Sequence, residues 1–218
     1  VSSRSPNCKN KRFGDHITAD TIVLHSRVDK GLNGEKDAIV MYDFATEWLQ
    51  CFPVESRNYD DTYNAFRDFA GSSRIDKVFI DNAPELIRSA KDLGWPINNS
   101  IPEKPKSNSI AENRVKKVIR GGRTSLNHAG LPAKGWPHAG KHFCDATNFK
   151  MIKGDSAWNK RFKNGHFKGH QIPFGALVDY MPHGKMYVTK SKKKKAAEES
   201  DKALDDKGDI PEKEEAED

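Results

Sequence analysis

Three carboxylates occupy positions from which they could act on a phosphate ester. Asp20 lies within an apolar, β-branched run, Asp81 ends the short apolar run 77–81, and Glu112 opens a helical stretch behind a polar loop. Beside Ile22 or Ile80, a carboxylate is costly to bury unless a cation pairs with it. A magnesium ion removes that conflict. Hard divalent cations take oxygen ligands, and a carboxylate trio can hold two ions roughly 3.5–4 Å apart, clamping the attacking and leaving oxygens of a phosphoryl transfer. The chain has 31 acidic residues, so many triples can be drawn, and position alone does not select this one.

The elements that would carry these acids follow from periodicity. Residues 17–24 mix β-branched and apolar types, 31–36 form a turn, 38–42 are an apolar run of buried-strand length, and 47–54 follow a short turn at 43–46. These three runs predict an antiparallel meander. Between 58 and 70 the period becomes helical: Tyr59, Thr62, Tyr63, Phe66, Phe69 and Ala70 share a face, Asp60 and Asp61 sit in the first turn, and Gly71 closes it. A buried strand is expected at 77–81 and a modest helix at 84–93, stopped by Gly94. A polar, proline-containing loop spans 100–109, and a helix from about Ile110 shows Ala111, Val115 and Val118 as its stripe. The order predicts an α/β sheet with helices packed on it.

Composition narrows the partners. The net charge is +6, but residues 191–218 carry 7 basic and 11 acidic side chains, which leaves +10 for residues 1–190. Cations interleaved with aromatics favour a polyanion, because neutralised phosphates release counterions; solubility alone is the competing explanation. The last 28 residues have almost no large apolar side chains and are expected to be disordered. Cys8, Cys51 and Cys144 match no paired-ligand spacing and suggest free thiols in a reducing compartment. No apolar run approaches the roughly 20 residues of a membrane span, so the expectation is a soluble, intracellular, non-secreted protein. The opening Val1 suggests a fragment of a longer polyprotein.

The stretches Phe13-Gly14-Asp15-His16-Ile17-Thr18-Ala19-Asp20, Phe79-Ile80-Asp81-Asn82-Ala83-Pro84-Glu85 and Asn108-Ser109-Ile110-Ala111-Glu112-Asn113-Arg114 resemble, in order, the three blocks of a retroviral-type integrase catalytic core. His128-Ala129-Gly130-Leu131-Pro132 with Trp136, then Pro173-Phe174-Gly175-Ala176-Leu177-Val178, are similar to the region after the core in copia-type retrotransposon polyproteins. The likeness spans about residues 10 to 185. It implies a ribonuclease-H-like mixed sheet flanked by helices, with a small basic C-terminal extension and a disordered tail. The organisation so implied is an extension at 1–12, the core at 13–145, a basic post-core region at 146–190 and the charged tail at 191–218.

The resemblance also implies chemistry: two Mg2+ or Mn2+ ions held by Asp20, Asp81 and Glu112, 3′-end processing of the element's DNA, and strand transfer into a target duplex. Lys116 matches a lysine that the family uses on DNA ends, and Arg120 and Arg123 extend that basic face. A homo-oligomer when active, no membrane, and a nucleus or cytoplasmic virus-like particle complete the expectation; the alternative is a catalytically inactive relic that only binds nucleic acid. Ribonuclease-H activity proper ranks behind both, since it usually calls for a fourth carboxylate. Departures from the family pattern are Ala83 and Ser109 where glycines are usual, and 31 positions between Asp81 and Glu112, which predict a shortened second helix. The family's amino-terminal His/Cys zinc module has at most Cys8 as a remnant. Gly121-Gly122 should weaken the third helix by roughly 1 kcal/mol per glycine.

Other residues carry two readings each. His138, His142 and Cys144, with His166 and His170, have ligand-like types, but a helix starting at Pro137 and no CxxC favour surface or DNA-facing histidines over zinc. Phe162, His166, Phe167, Lys168 and His170 would contact nucleic acid or pack in the core. Residues 190–195 are a nuclear-localisation signal or DNA tether, or a solvated charge run. Asp43, Asp60 and Asp61 read as turn and helix-start residues, and Cys51 as core.

Overall fold

Strands form where β-branched and apolar side chains alternate toward two helix layers. In the computed structural model, which describes residues 11–23, 30–99 and 109–179, β1 (Ile17–Val23), β2 (Asp37–Asp43) and β3 (Leu49–Val54) make the expected antiparallel meander. β4 (Val78–Ile80) lies parallel to β1, and β5 (Ile97–Asn99) parallel to β4, giving the mixed order β3-β2-β1-β4-β5. The helices are α1 (Tyr59–Ala70), α2 (Pro84–Asp92), α3 (Ser109–Ala129), α4 (Trp136–Phe149) and α5 (Ala157–Phe162). This is an integrase-core-like, ribonuclease-H-like sheet flanked by helices.

The two faces of the sheet bury different clusters. Ile17, Ala19, Ile39, Met41, Val78 and Ile80 pack with Phe66 and Phe69 of α1 and Leu86 of α2. Ile22, Ala38, Val40, Tyr42 and Cys51 pack with Val118 of α3 and Cys144 of α4. The period of two therefore places Thr18, Asp20 and Ile22 on the α3 side.

α1 begins as its sequence dictates: the Asn58 side chain accepts from the Asp61 N–H at 2.7 Å, and Gly71 ends the helix at φ 59°. α2 is short, with Pro84 in its first turn. α3 runs continuously through Gly121 and Gly122. A Cβ on Gly121 would lie 2.2 Å from the Phe143 ring, and one on Gly122 would sit 3.5 Å from the Gly140 backbone nitrogen. Gly121 thus lets the Phe143 ring of α4 approach α3 closely, whereas Gly122 meets only ordinary contacts.

α4 is fixed to the sheet by an amide. Buried Asn148 accepts from the Leu49 N–H at 2.9 Å and donates to the Leu49 carbonyl at 2.7 Å. α5 is held by Arg161, whose guanidinium lies 3.9 Å over Phe13 and 4.7 Å over Trp48 and donates to the Phe69 carbonyl at 2.7 Å. Burial lowers the Arg161 pKa to about 10, against the charge of Asp43.

Asp43 is more than a turn residue. Fully buried, its carboxylate accepts from the Gly14 N–H at 3.0 Å and from the Thr46 N–H and hydroxyl, each at 2.7 Å. Two elements escaped the sequence reading, β5 and α5. Among the described residues no helix is long and apolar enough to cross a membrane.

The chain divides at Ala176, and of its second unit, Leu177–Asp218, only residues 177–179 are described. The expected tail at 191–218, the lysine run at 190–195, Cys8 and most of the loop at 100–109 lie outside the described residues.

Candidate functional site

The register of β1 on β4 decides where the first two acids meet. Ile17 pairs with Val78 and Thr18 with Phe79. Continued by two residues, that register sets Asp20 opposite Asp81, which directly follows β4, and in parallel neighbours opposed residues share a face. That face is the one α3 covers, with Glu112 in its first turn.

Each carboxylate is held differently. Asp20 Oδ1 accepts from the Thr21 N–H at 2.8 Å. Asp81 Oδ1 accepts from the Ala83 N–H at 3.1 Å, a side-chain turn that leads into α2. Glu112 is exposed, its Oε2 3.7 Å from Lys116 Nζ one helical turn on.

Electrostatics couples the three. Burial pushes the Asp20 pKa up to about 6; the Thr21 hydrogen bond opposes the rise, and the negative charges of Asp81 and Glu112 add to it. Of the expected convergence within metal-bridging distance, what is seen is that Asp20 feels the charges of both Asp81 and Glu112. A closed ligand set is not seen: among the described residues no three His, Cys, Asp or Glu side chains stand close enough to grip one ion.

Lys116, Arg120 and Arg123 are all exposed on α3. Lys116 and Arg120 line an open groove with Asn113, Lys117, Gly121, Thr124 and Phe143. Sequence reasoning missed Arg114, although it lies in the quoted third block. Its guanidinium sits 4.0 Å over the Tyr42 ring and donates to the Tyr42 hydroxyl at 3.0 Å.

The histidines do not gather. His138 is exposed, while His142 Nε2 lies 3.0 Å from the Ile172 carbonyl and His166 Nδ1 lies 3.3 Å from Ser156 Oγ. Phe162 and Phe167 join an aromatic cluster: Phe162 is 4.6 Å from Trp158, and Phe167 stacks on Phe149 at 3.9 Å. Cys51 and Cys144 are buried free thiols, and burial pushes Cys51 up to about 12.

The fold so assembled matches a solved retroviral core. The crystal structure of the catalytic core domain of BIV integrase aligns with a TM-score of 0.51 at 12% identity, over 69% of this chain and 95% of that one. In sequence the chain is homologous, over a partial region, to two Arabidopsis thaliana proteins. These are the retrovirus-related Pol polyproteins from transposon RE2 (25% identical over 108 residues) and transposon RE1 (23% over 108). Each alignment covers 46% of this chain and 7% of the polyprotein, so the chain corresponds to a small part of those relatives. No family model matches the sequence.

Proposed function

We propose that this chain is the catalytic core of a retrotransposon integrase, processing the 3′ ends of element DNA and joining them to a target duplex. The observation that carries the reading is the β1–β4 register, which continued by two residues sets Asp20 opposite Asp81 on the face covered by α3, with Asp20 raised by burial and further by the charges of Asp81 and Glu112. Three oxygen-donor carboxylates, of which Asp20 feels the negative charges of the other two, suit hard divalent cations, two Mg2+ or Mn2+ ions in this reading. Bound there, such ions would activate the attacking water or 3′ hydroxyl and neutralise the leaving oxygen.

The chain's own residues do the rest. The Thr21 and Ala83 N–H groups aim Asp20 and Asp81. Glu112, on an exposed first turn and now 3.7 Å from Lys116, would help hold the ions when they are bound, and Lys116 would then be available to a DNA phosphate. Arg120 and Arg123 continue the basic face and hold the strand. Two DNA ends must be joined in one event, so the working form is a homo-oligomer, in the nucleus or in a cytoplasmic virus-like particle.

The test is joining of oligonucleotide ends in manganese by wild type and Asp81→Asn, alone and with a zinc-bearing amino-terminal module supplied. Asp81→Asn should lose joining by orders of magnitude and keep DNA binding, which rests on lysine and arginine. A second reading, a core that binds DNA without chemistry, draws on the Glu112–Lys116 ion pair, which already gives the third acid a cation 3.7 Å away. Equal background from both proteins in both conditions would establish it.

A further inference from the structure

A second cluster of cations lies off the acid trio, in a pocket between the sheet, α3 and the chain leaving α4. Arg114, Lys117 and Lys150 line it together with Tyr42 and Thr147, around a cavity of about 50 Å3. At about 10–15 Å3 for each water position, that volume takes three or four oxygens, the size of one tetrahedral oxyanion. We propose that Arg114, Lys117 and Lys150 form an anion site that seats a single phosphate group.

The cations are set up for a ligand they do not have within the fold. Arg114 Nε is buried without a hydrogen-bond partner, although its guanidinium is pinned against Tyr42. A buried N–H left in that state costs free energy that an anion would recover. Neither Lys117 nor Lys150 forms a salt bridge among the described residues. Burial lowers the pKa of Lys117, and the charges of Arg114 and Lys150 lower it further, against Cys144 and Glu47.

Two acids also line the cavity, and both are engaged. Glu47 is ion-paired with Lys160. Asp155 Oδ1 accepts from the Ser156 N–H at 2.8 Å and from Asn159 Nδ2 at 2.9 Å. The three cations therefore face the cavity with excess positive charge.

The phosphate is either a phosphodiester of a bound DNA strand or a free phosphate, and one experiment separates the two. Melting is followed in EDTA with inorganic phosphate against chloride at matched ionic strength, for wild type, Lys117→Met, Lys150→Met and, as control, Lys91→Met on α2. Phosphate at ten times its Kd should raise the wild-type and Lys91→Met Tm by about 3–6 °C, and Lys117→Met and Lys150→Met by less than a third of that. No phosphate-specific shift in wild type, or equal shifts in all four proteins, would overturn the site.

DNA binding is then titrated against salt. A salt slope smaller by about one unit in Lys150→Met, with phosphate competing in wild type, assigns the pocket to a DNA phosphate. An unchanged slope with loss of the phosphate shift assigns it to free phosphate. The melting arm needs neither DNA nor metal, so its failure would leave the integrase reading standing.

Discussion

Asp20→Asn should make the protein more stable while destroying any metal-dependent activity. With its pKa at about 6 against an ordinary 3.8, Asp20 binds its proton more tightly folded than unfolded. Its contribution is favourable below pH 4 and is lost as pH rises through about 6, where the folded chain must carry the buried charge. The difference corresponds to about 3 kcal/mol, and partial solvent access at the site reduces this to about 1–2 kcal/mol. Asparagine keeps the side-chain oxygen that accepts from the Thr21 N–H and removes the charge. Melting in EDTA should therefore show Asp20→Asn equal to wild type near pH 4 and higher by about 2–8 °C at pH 7.5. Adding Mg2+ at pH 7.5 should raise wild type and leave the variant unmoved. A variant no more stable at pH 7.5 than at pH 4, relative to wild type, would refute the argument that Asp20 is ionised at a cost.

Asn148→Ala leaves the Leu49 N–H and carbonyl without their partner and should cost about 2–3 kcal/mol in a denaturant melt. Gly122→Ala meets only ordinary contacts at 3.5 Å and should gain up to about 1 kcal/mol of helix stability; a loss would mean that the α3–α4 crossing tolerates no added methyl. Lys116→Ala should weaken binding to DNA of any sequence and lower the salt slope by about one unit, whereas an unchanged slope would leave Lys116 as a solvated partner of Glu112.

What could be read from the sequence was what local chemistry dictates. Asn58, the first-turn aspartates and Gly71 announce α1, and the continuous apolar run from Ala38 to Tyr42 announces β2. β5 could not be read, because in Ile97-Asn98-Asn99 only the isoleucine favours a strand and both asparagines disfavour it; its pairing with β4 makes it a strand. The need for Gly121 could not be read for a related reason, since the ring it makes room for belongs to Phe143, more than a dozen residues away. Asp43 looks like any turn aspartate until Gly14 arrives from a distant turn to complete its hydrogen bonds. The acids themselves were found through resemblance. Their adjacency depends on a parallel register between segments some sixty residues apart, which no local pattern encodes. Arg114, Lys117 and Lys150 were missed likewise, their pocket existing only once α4 folds back onto α3.

The amide of Asn148 also closes the rim of the sheet. β3 is its outermost strand on one side, and Leu49 points its backbone outward there, as by alternation do Cys51 and Pro53. Such a rim is a template onto which another chain can add a strand and begin an aggregate. Here Leu49 is already engaged by a side chain that imitates a neighbouring backbone, and Pro53 has no hydrogen to donate. Only Cys51 keeps an N–H facing that way, one rung where strand addition needs several, so copies crowded together are kept from stitching edge to edge along β3.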